Sequence, residues 1–322
     1  MHYALPYKTK QFFFVLIKLS IVVGAFYFIY QKLAHNNTFA FSDFISFLSK
    51  NKVFSAKNIA FLLLFSFFNW FFEILKWQHL VNPIKTISLK KASAQSLGAL
   101  TASLFTPNRI GEYGAKAMYY TSNLRKRILL VNLLSNLLQM GVTVLFGILG
   151  FSRYILKYDP DLNYYKLSRY AVLLLSGLFL FLLGLKTRPF KIKGFSIDKI
   201  KPFFASYAKN KVLLALILSV IRYLIFSFQF YFILTIFQVN LSYLNAMTII
   251  SSMYLIASII PTIFIFDVVI KGSVALYLFS LADVNEVVVL AAITLMWLLN
   301  FVIPSLFGSY YVLTFTLPKK RD

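Results

Sequence analysis

Long apolar runs alternate along this chain with short basic stretches, and their spacing predicts the elements. The first run, QFFFVLIKLSIVVGAFYFIY at 11–30, follows Lys8 and Lys10. About 20 apolar residues in a helix cross the ~30 Å hydrocarbon core of a bilayer, so the run reads as a membrane span. It is long and no clear small-residue cleavage site follows it, which makes it an uncleaved anchor rather than a removable signal. Further spans are predicted over 58–76, 128–150, 169–185, 212–237 and 287–313. Between the first two spans, FAFSDFISFLS has the aromatic, weakly amphipathic pattern of an interfacial helix.

Two apolar stretches do not read as simple crossings. Residues 92–120 are rich in small side chains and hold Pro107 in mid-segment, with Lys76, Lys85, Lys90 and Lys91 before them and Arg125, Lys126 and Arg127 after. Basic flanks stay on the cytoplasmic side, so both ends belong there. Residues 251–279 hold Pro261, follow a linker without Lys or Arg, and exit into Asp283 and Glu286. Both of those flanks read as extracytoplasmic. A segment that enters and leaves by one face is a re-entrant pair of half-helices, broken here at the Pro.

The loop holding Lys186, Arg188, Lys191, Lys193, Lys199, Lys201, Lys209 and Lys211 is cytoplasmic on the same rule, as is the terminal KKRD. Both termini are therefore expected inside, in a multi-pass protein of the cytoplasmic (inner) membrane. The fold class is all-α and polytopic, a single membrane domain over 1–322 with about six transmembrane helices and two re-entrant pairs. Each half, 1–150 and 151–322, reads span, span, re-entrant pair, span. Three crossings per half is odd, so the second repeat is inverted relative to the first. ASLFTPNRIGEYGAK and ASIIPTIFIFDVVIK agree locally: each places Ala-Ser before its Pro, then an acid four residues ahead of a Lys.

Composition supports the membrane and narrows the chemistry. With 59% hydrophobic and 13% charged residues and a mean hydropathy of +0.74, the chain cannot cover a globular core with polar surface. The net charge of +23 would suit nucleic acid, but the basic residues sit in blocks between apolar runs, where they fix orientation. No nucleic-acid partner is expected. Absence of Cys excludes disulfides and thiolate sites, and His2, His35 and His79 are scattered. No HExxH, GxSxG or phosphate-binding loop occurs. No metal, cofactor or catalytic residue is expected, and the chain is not read as an enzyme.

The candidate site consists of polar residues within these apolar segments. Arg109 follows the Pro107 break near the start of the exiting half-helix, where free N–H groups and the dipole favour an anion. The alternative is that it pairs with Glu112 and closes the turn. Glu112 with Lys116, and Asp267 with Lys271, are i,i+4 pairs that neutralise each other at membrane depth. Asn69 and Glu73 lie one turn apart in the second span, and Arg222 and Gln229 two turns apart in the fifth. Asn69 precedes Pro107 by nearly the interval at which Arg222 precedes Pro261, which places them on one cavity with Glu73 paired to Arg222. The plainer reading of that pair is an interhelical strut. Asn132, Asn136, Gln139 and Thr143 form a polar stripe on the third span, read as interhelical hydrogen bonding.

TPNRIGEYGAKAMYY, preceded by NWFFEILKWQHL and followed by an Arg in the fifth span and a second Pro-plus-acid segment, resembles the transmembrane domain of lysylphosphatidylglycerol synthases. Stand-alone members of that group are called flippase-like domain proteins, and the similarity covers almost the whole chain. The family's Pro-Gly-Arg-x-Gly-Glu/Asp motif is matched by Pro107, Arg109, Gly111 and Glu112, with Asn108 replacing the first Gly. Its second, Gly-rich motif keeps here Pro261 and Asp267 but not the glycines. Complete synthases continue into a soluble aminoacyl-transferase domain, whereas this chain ends soon after its last span, so a stand-alone member is expected.

The resemblance implies a flippase or scramblase for an anionic phospholipid or a polyprenyl-phosphate-type lipid, working without ATP hydrolysis. Glu73, Glu112 and Asp267 would then be candidate proton carriers. The implied partners are membrane lipids with anionic headgroups, with a second copy of the chain or a lipid-modifying enzyme as a further one. The rival readings are a secondary transporter of a small anionic solute and, behind it, a membrane enzyme acting on a lipid phosphate.

Overall fold

The computed structural model describes residues 16–20, 23, 27, 41–50, 53, 55–104, 106, 110–160, 176, 191–192, 195–196, 202–259 and 267–318; side chains at 41–44 and 267–271 are outside that description. The described helices are α1 (Phe41–Lys50), α2 (Ala56–Val81), α3 (Leu89–Ser103), α4 (Gly111–Met118), α5 (Ser122–Tyr158), α6 (Lys209–Ile236), α7 (Tyr243–Ile259), α8 (Asp267–Ser280), α9 (Glu286–Trp297) and α10 (Ile303–Leu313). A π-helical turn, Leu298–Val302, joins the last two. Lys191–Ile192 and Phe195–Ser196 form a two-residue antiparallel pair in the basic loop, a small departure from the purely helical expectation. The fold is an all-α polytopic membrane bundle.

Among the described residues, four helices are long and apolar enough to cross a bilayer: α2, α5, α6 and the continuous run Glu286–Leu313. They answer to the second, third, fifth and last predicted spans, and most outrun the apolar stretch. The helix predicted over 58–76 continues to Val81, and the one over 128–150 begins at Ser122 and reaches Tyr158. Side-chain caps fix some of the starts: Ser55 Oγ accepts from the Asn58 N–H at 3.3 Å and Asn285 Oδ1 from that of Val287 at 2.8 Å. The spans predicted over 11–30 and 169–185 lie almost wholly outside the described residues. The interfacial candidate is helical as α1, and its Phe47 packs on Phe237 at the end of α6.

Large apolar side chains face outward along the long helices, among them Leu145, Ile148 and Leu149 of α5 and Leu213 and Ile217 of α6. Water would penalise such a surface and a lipid tail does not. The charged side chains Glu73, Lys76, Glu112 and Lys116 are turned inward, among a mostly apolar core.

Each of the two Pro-centred stretches is described as two separate helices. α3 and α4 have 15 and 8 residues, and α7 and α8 have 17 and 14. At ~1.5 Å per residue each is shorter than the ~30 Å core. Pro107 and Pro261 themselves lie outside the described residues.

Packing between the halves is reciprocal. α2 lies along α6, α3 packs on α10, and α7 packs on α5. In each of the last two crossings a helix of a broken pair rests on a long helix of the other half, and both crossings use glycine. An added Cβ on Gly308 would stand 2.2 Å from the Leu97 carbonyl oxygen; one on Gly150 would stand 3.2 Å from that of Thr248. Thr101 Oγ1 also donates to the Ser305 carbonyl at 2.9 Å across the first crossing. Backbones approach this closely in membranes where small residues permit it.

The orientation remains a prediction with a direct test. The chain has no Cys, and Asn240 is exposed between α6 and α7. An Asn240→Cys variant is expected to react with an impermeant maleimide in intact cells; reaction only after permeabilisation would reverse the assignment.

Candidate functional site

The carboxylate of Glu73 is the centre of the site. It projects from α2 with 6% of its surface exposed, and its Oε2 takes two cations: Lys76 Nζ at 2.8 Å from the next turn and Arg222 Nη1 at 2.7 Å from α6. Burying an ion is costly unless partners restore what water supplied. Arg222 is further held by Asn69, whose Oδ1 accepts from its Nε at 2.9 Å, and by Gln139 Oε1 at 3.4 Å. Its Nη2 has no partner among the described residues.

A second ion pair stands across the same space. α4 is short because it starts after the break and stops at the Tyr119–Thr121 turn, and its one face carries Glu112 and Lys116. Lys116 Nζ lies 2.8 Å from Glu112 Oε1, donates to Asn132 Oδ1 of α5 at 2.9 Å, and sits 4.2 Å from the centre of the Trp77 ring. Trp77 is fixed in turn by its indole N–H, which donates to Gln95 Oε1 at 2.8 Å; Tyr120 donates to the same oxygen. Arg222 stands 5.9 Å from the centre of the Trp70 ring. Each of these two indoles therefore has one of the protein's own cations against its face.

Trp70, Glu73, Ser96, Glu112, Lys116, Asn136 and Arg222 line a cavity of about 40 Å³. A water needs about 10–15 Å³ measured this way, so the cavity has room for a few. Lys76, Lys116 and Arg222 face only Glu73 and Glu112, which leaves one positive charge in excess among the described residues. Ser96 is buried at 3% exposure, and its hydroxyl has no hydrogen-bond partner among the described residues.

A polar chain runs from this cluster into the last span. Asn69 Nδ2 donates to Asn300 Oδ1 at 2.8 Å, and Asn300 Nδ2 donates to Gln229 Oε1 at 2.9 Å. Asn300 belongs to the π turn, and Pro304 explains it. Proline has no N–H to give the carbonyl four residues back and its ring crowds that carbonyl. The Ile303 N–H bonds instead to Leu298, so the Leu299 and Asn300 carbonyls are released. Ser66 donates to the first and Trp70 Nε1 to the second at 2.9 Å. Side chains of α2 thus satisfy what the turn leaves open, as a buried backbone demands.

The chain matches the family described as the lysylphosphatidylglycerol synthase TM region over residues 15–308. The chain belongs to this family. No curated protein and no solved structure matches it.

Of the site residues expected for this flippase-like family member, the structure brings Glu73, Arg222, Asn69, Glu112 and Lys116 together. Gln229 lies off the cavity; it donates to the Leu62 carbonyl at 3.0 Å and reaches the cluster only through Asn300. Its position two turns from Arg222 puts it beside α9 and α10 instead. Arg109, Pro107 and Asn108 lie outside the described residues, as does Pro261. Asp267 and Lys271 are in α8 with side chains outside the description. Gly111 is needed where it stands: its N–H donates to Thr106 Oγ1 at 3.0 Å, and an added Cβ would come within 2.8 Å of Thr106 Cγ2.

Lys76 needs correcting. In sequence it reads as the first basic residue after the second span, but the helix continues past it and it is 1% exposed on Glu73. Its spacing three residues after a buried acid was the available signal. Asn300, Ser96, Gln95, Trp70 and Trp77 were also not anticipated. Asn300 stands as a lone amide within an apolar run, a pattern that marks a polar contact inside a bundle. The polar stripe of α5 does what interhelical stripes do, with Asn132 on Lys116 and Asn136 donating to the Tyr113 hydroxyl at 3.0 Å.

Proposed function

We propose that this protein is a lipid translocase that moves an anionic phospholipid or a polyprenyl-phosphate-type lipid between the leaflets of the cytoplasmic membrane, as a flippase or scramblase. The observation that carries the reading is the excess positive charge, among the described residues, on a cluster inside a bundle with an apolar outer surface. An anionic headgroup would complete that cluster while its tails stayed in lipid. The family membership and the chain's membrane character are consistent with this use.

The halves 1–150 and 151–322 act as inverted repeats in this mechanism, a reading supported by the reciprocal crossings of α3 on α10 and α7 on α5. α3–α4 and α7–α8 are the re-entrant pairs. The residues form no covalent intermediate; they bind, and the protein is no enzyme. The sequence offers no nucleotide-binding motif, so movement is passive or coupled to an ion gradient, with Glu73, Glu112 and Asp267 as proton carriers. The N- and C-termini are cytoplasmic. A second copy of the chain or a lipid-modifying enzyme is the partner this role calls for.

The small cavity favours one rival, a secondary transporter of a small anionic solute, since it holds only a few waters in this conformation. Reconstituted vesicles separate the two. An Arg109→Ala variant is expected to slow the movement of a labelled anionic lipid by on the order of tenfold or more, with Lys rescuing only in part because an ammonium lacks the planar fork. Equal rates in parent and variant would make Arg109 structural. If the parent moves no anionic lipid above empty vesicles under any gradient, the solute reading replaces this one.

A further inference from the structure

We infer that the cavity is an anion filter: it admits a headgroup whose only charge is its phosphate and rejects one that also carries an ammonium group, as an aminoacylated phospholipid does. This narrows the substrate of the translocase proposed above and rests on that reading for its transport role.

The protein's own cations already occupy what an ammonium group would need in this cavity. Carboxylates and aromatic faces are the side-chain groups that recognise alkylammonium ions. Glu73 is shared by Lys76 and Arg222, and Glu112 is held by Lys116. The Trp77 face has Lys116 at 4.2 Å and the Trp70 face has Arg222 at 5.9 Å. A headgroup ammonium entering here would meet Lys116 and Arg222 on the cavity wall, with Lys76 behind Glu73, and would have to displace one of them from its partner. What the protein leaves unused is of the opposite kind. Arg222 Nη2 has no partner among the described residues, although its Nε and Nη1 are held from both sides. Ser96 Oγ is buried, lines the same cavity and has no partner among the described residues. Both can donate to a phosphate oxygen, which would replace the few waters that the cavity has room for. The sign of the charge among the described residues agrees: a phosphodiester anion offsets it, and an added ammonium works against that.

The filter is tested with lipid and free phosphate as separate probes. In detergent, short-chain phosphatidylglycerol is expected to raise the melting temperature of the intact protein, and short-chain lysylphosphatidylglycerol to leave it unmoved. Like-charge juxtaposition should separate the two affinities on the order of a hundredfold. An equal or larger shift with the lysylated lipid would overturn the filter, as would no shift with phosphatidylglycerol. Inorganic phosphate distinguishes the source of the anion: a shift as large as the lipid's supports the filter but sinks the lipid assignment. Ser96→Ala leaves every ion pair in place and is expected to shrink the phosphatidylglycerol shift by about half, on the scale of one lost charge-assisted hydrogen bond. An unchanged shift in that variant would overturn the placement of the anion in this cavity. In proteoliposomes, tail-labelled phosphatidylglycerol should cross faster than its lysylated counterpart. Movement of neither lipid sinks the translocase reading, while the melting shifts still decide the filter.

Discussion

Glu73→Gln is expected to be among the most damaging single substitutions in the protein, lowering stability by about 3–5 kcal/mol, the usual cost of breaking a buried ion pair by removing one partner. Here the loss strands two partners. Lys76 is 1% exposed and cannot reach water without leaving the bundle, while Arg222, 20% exposed, loses the carboxylate oxygen that holds it at 2.7 Å. The measurement is thermal unfolding in detergent, followed by the fluorescence of Trp70 and Trp77, which flank the cluster. A second variant separates charge from shape. Glu73→Gln combined with Lys76→Met removes one acid and one base together, and should recover at least half of the lost stability. If the single variant melts with the parent, the pair is solvated and the account of the site fails.

Gly308→Val should be nearly as severe, for a steric reason. Its first side-chain carbon would stand 2.2 Å from both the Leu97 carbonyl oxygen and Thr101 Oγ1. Two backbones meet there, so the clash is relieved only by parting α3 from α10, and overpacking of this kind costs about 1–3 kcal/mol or more. Gly141→Val is the control, because nothing lies within 4 Å of its added carbon. The first variant should melt well below the parent and the second close to it. Equal melting of the two would remove the crossing as a determinant of the fold.

The spans were legible because a bilayer imposes length and apolarity together, and α2, α5, α6 and the α9–α10 run carry both signals. The helix ends were less so: hydropathy stops where lipid stops, and a helix continues into headgroups and loops, as α5 does to Tyr158. That is also why Lys76 reads as a flank. A lysine at the end of an apolar run looks identical whether it meets water or a buried acid, and only the partner on another helix decides. The pairing of Glu73 with Arg222 was readable because ionisable groups deep in two spans have few other means of neutralisation. The role of Gln229 was not, since helical spacing gives the face of a residue but not the neighbour opposite it. The aromatic cover over Lys116 and Arg222 depends on the crossing of α2 with α4 and α6, which no local pattern encodes.

The π turn at Leu298–Val302 has a bearing on how this family can vary in length. A wider turn absorbs one residue beyond the regular helix, and each residue of a regular helix adds about 100° of rotation. A relative with one residue fewer in this turn would therefore form a regular helix in which Ser305 and Gly308 still face α3 and Asn300 still meets Asn69 and Gln229. The same deletion in a regular stretch of the span would swing everything after it by about 100°. The last span is thus phased twice, once by an amide and once by a glycine, and the wide turn lets both phases hold around one extra residue.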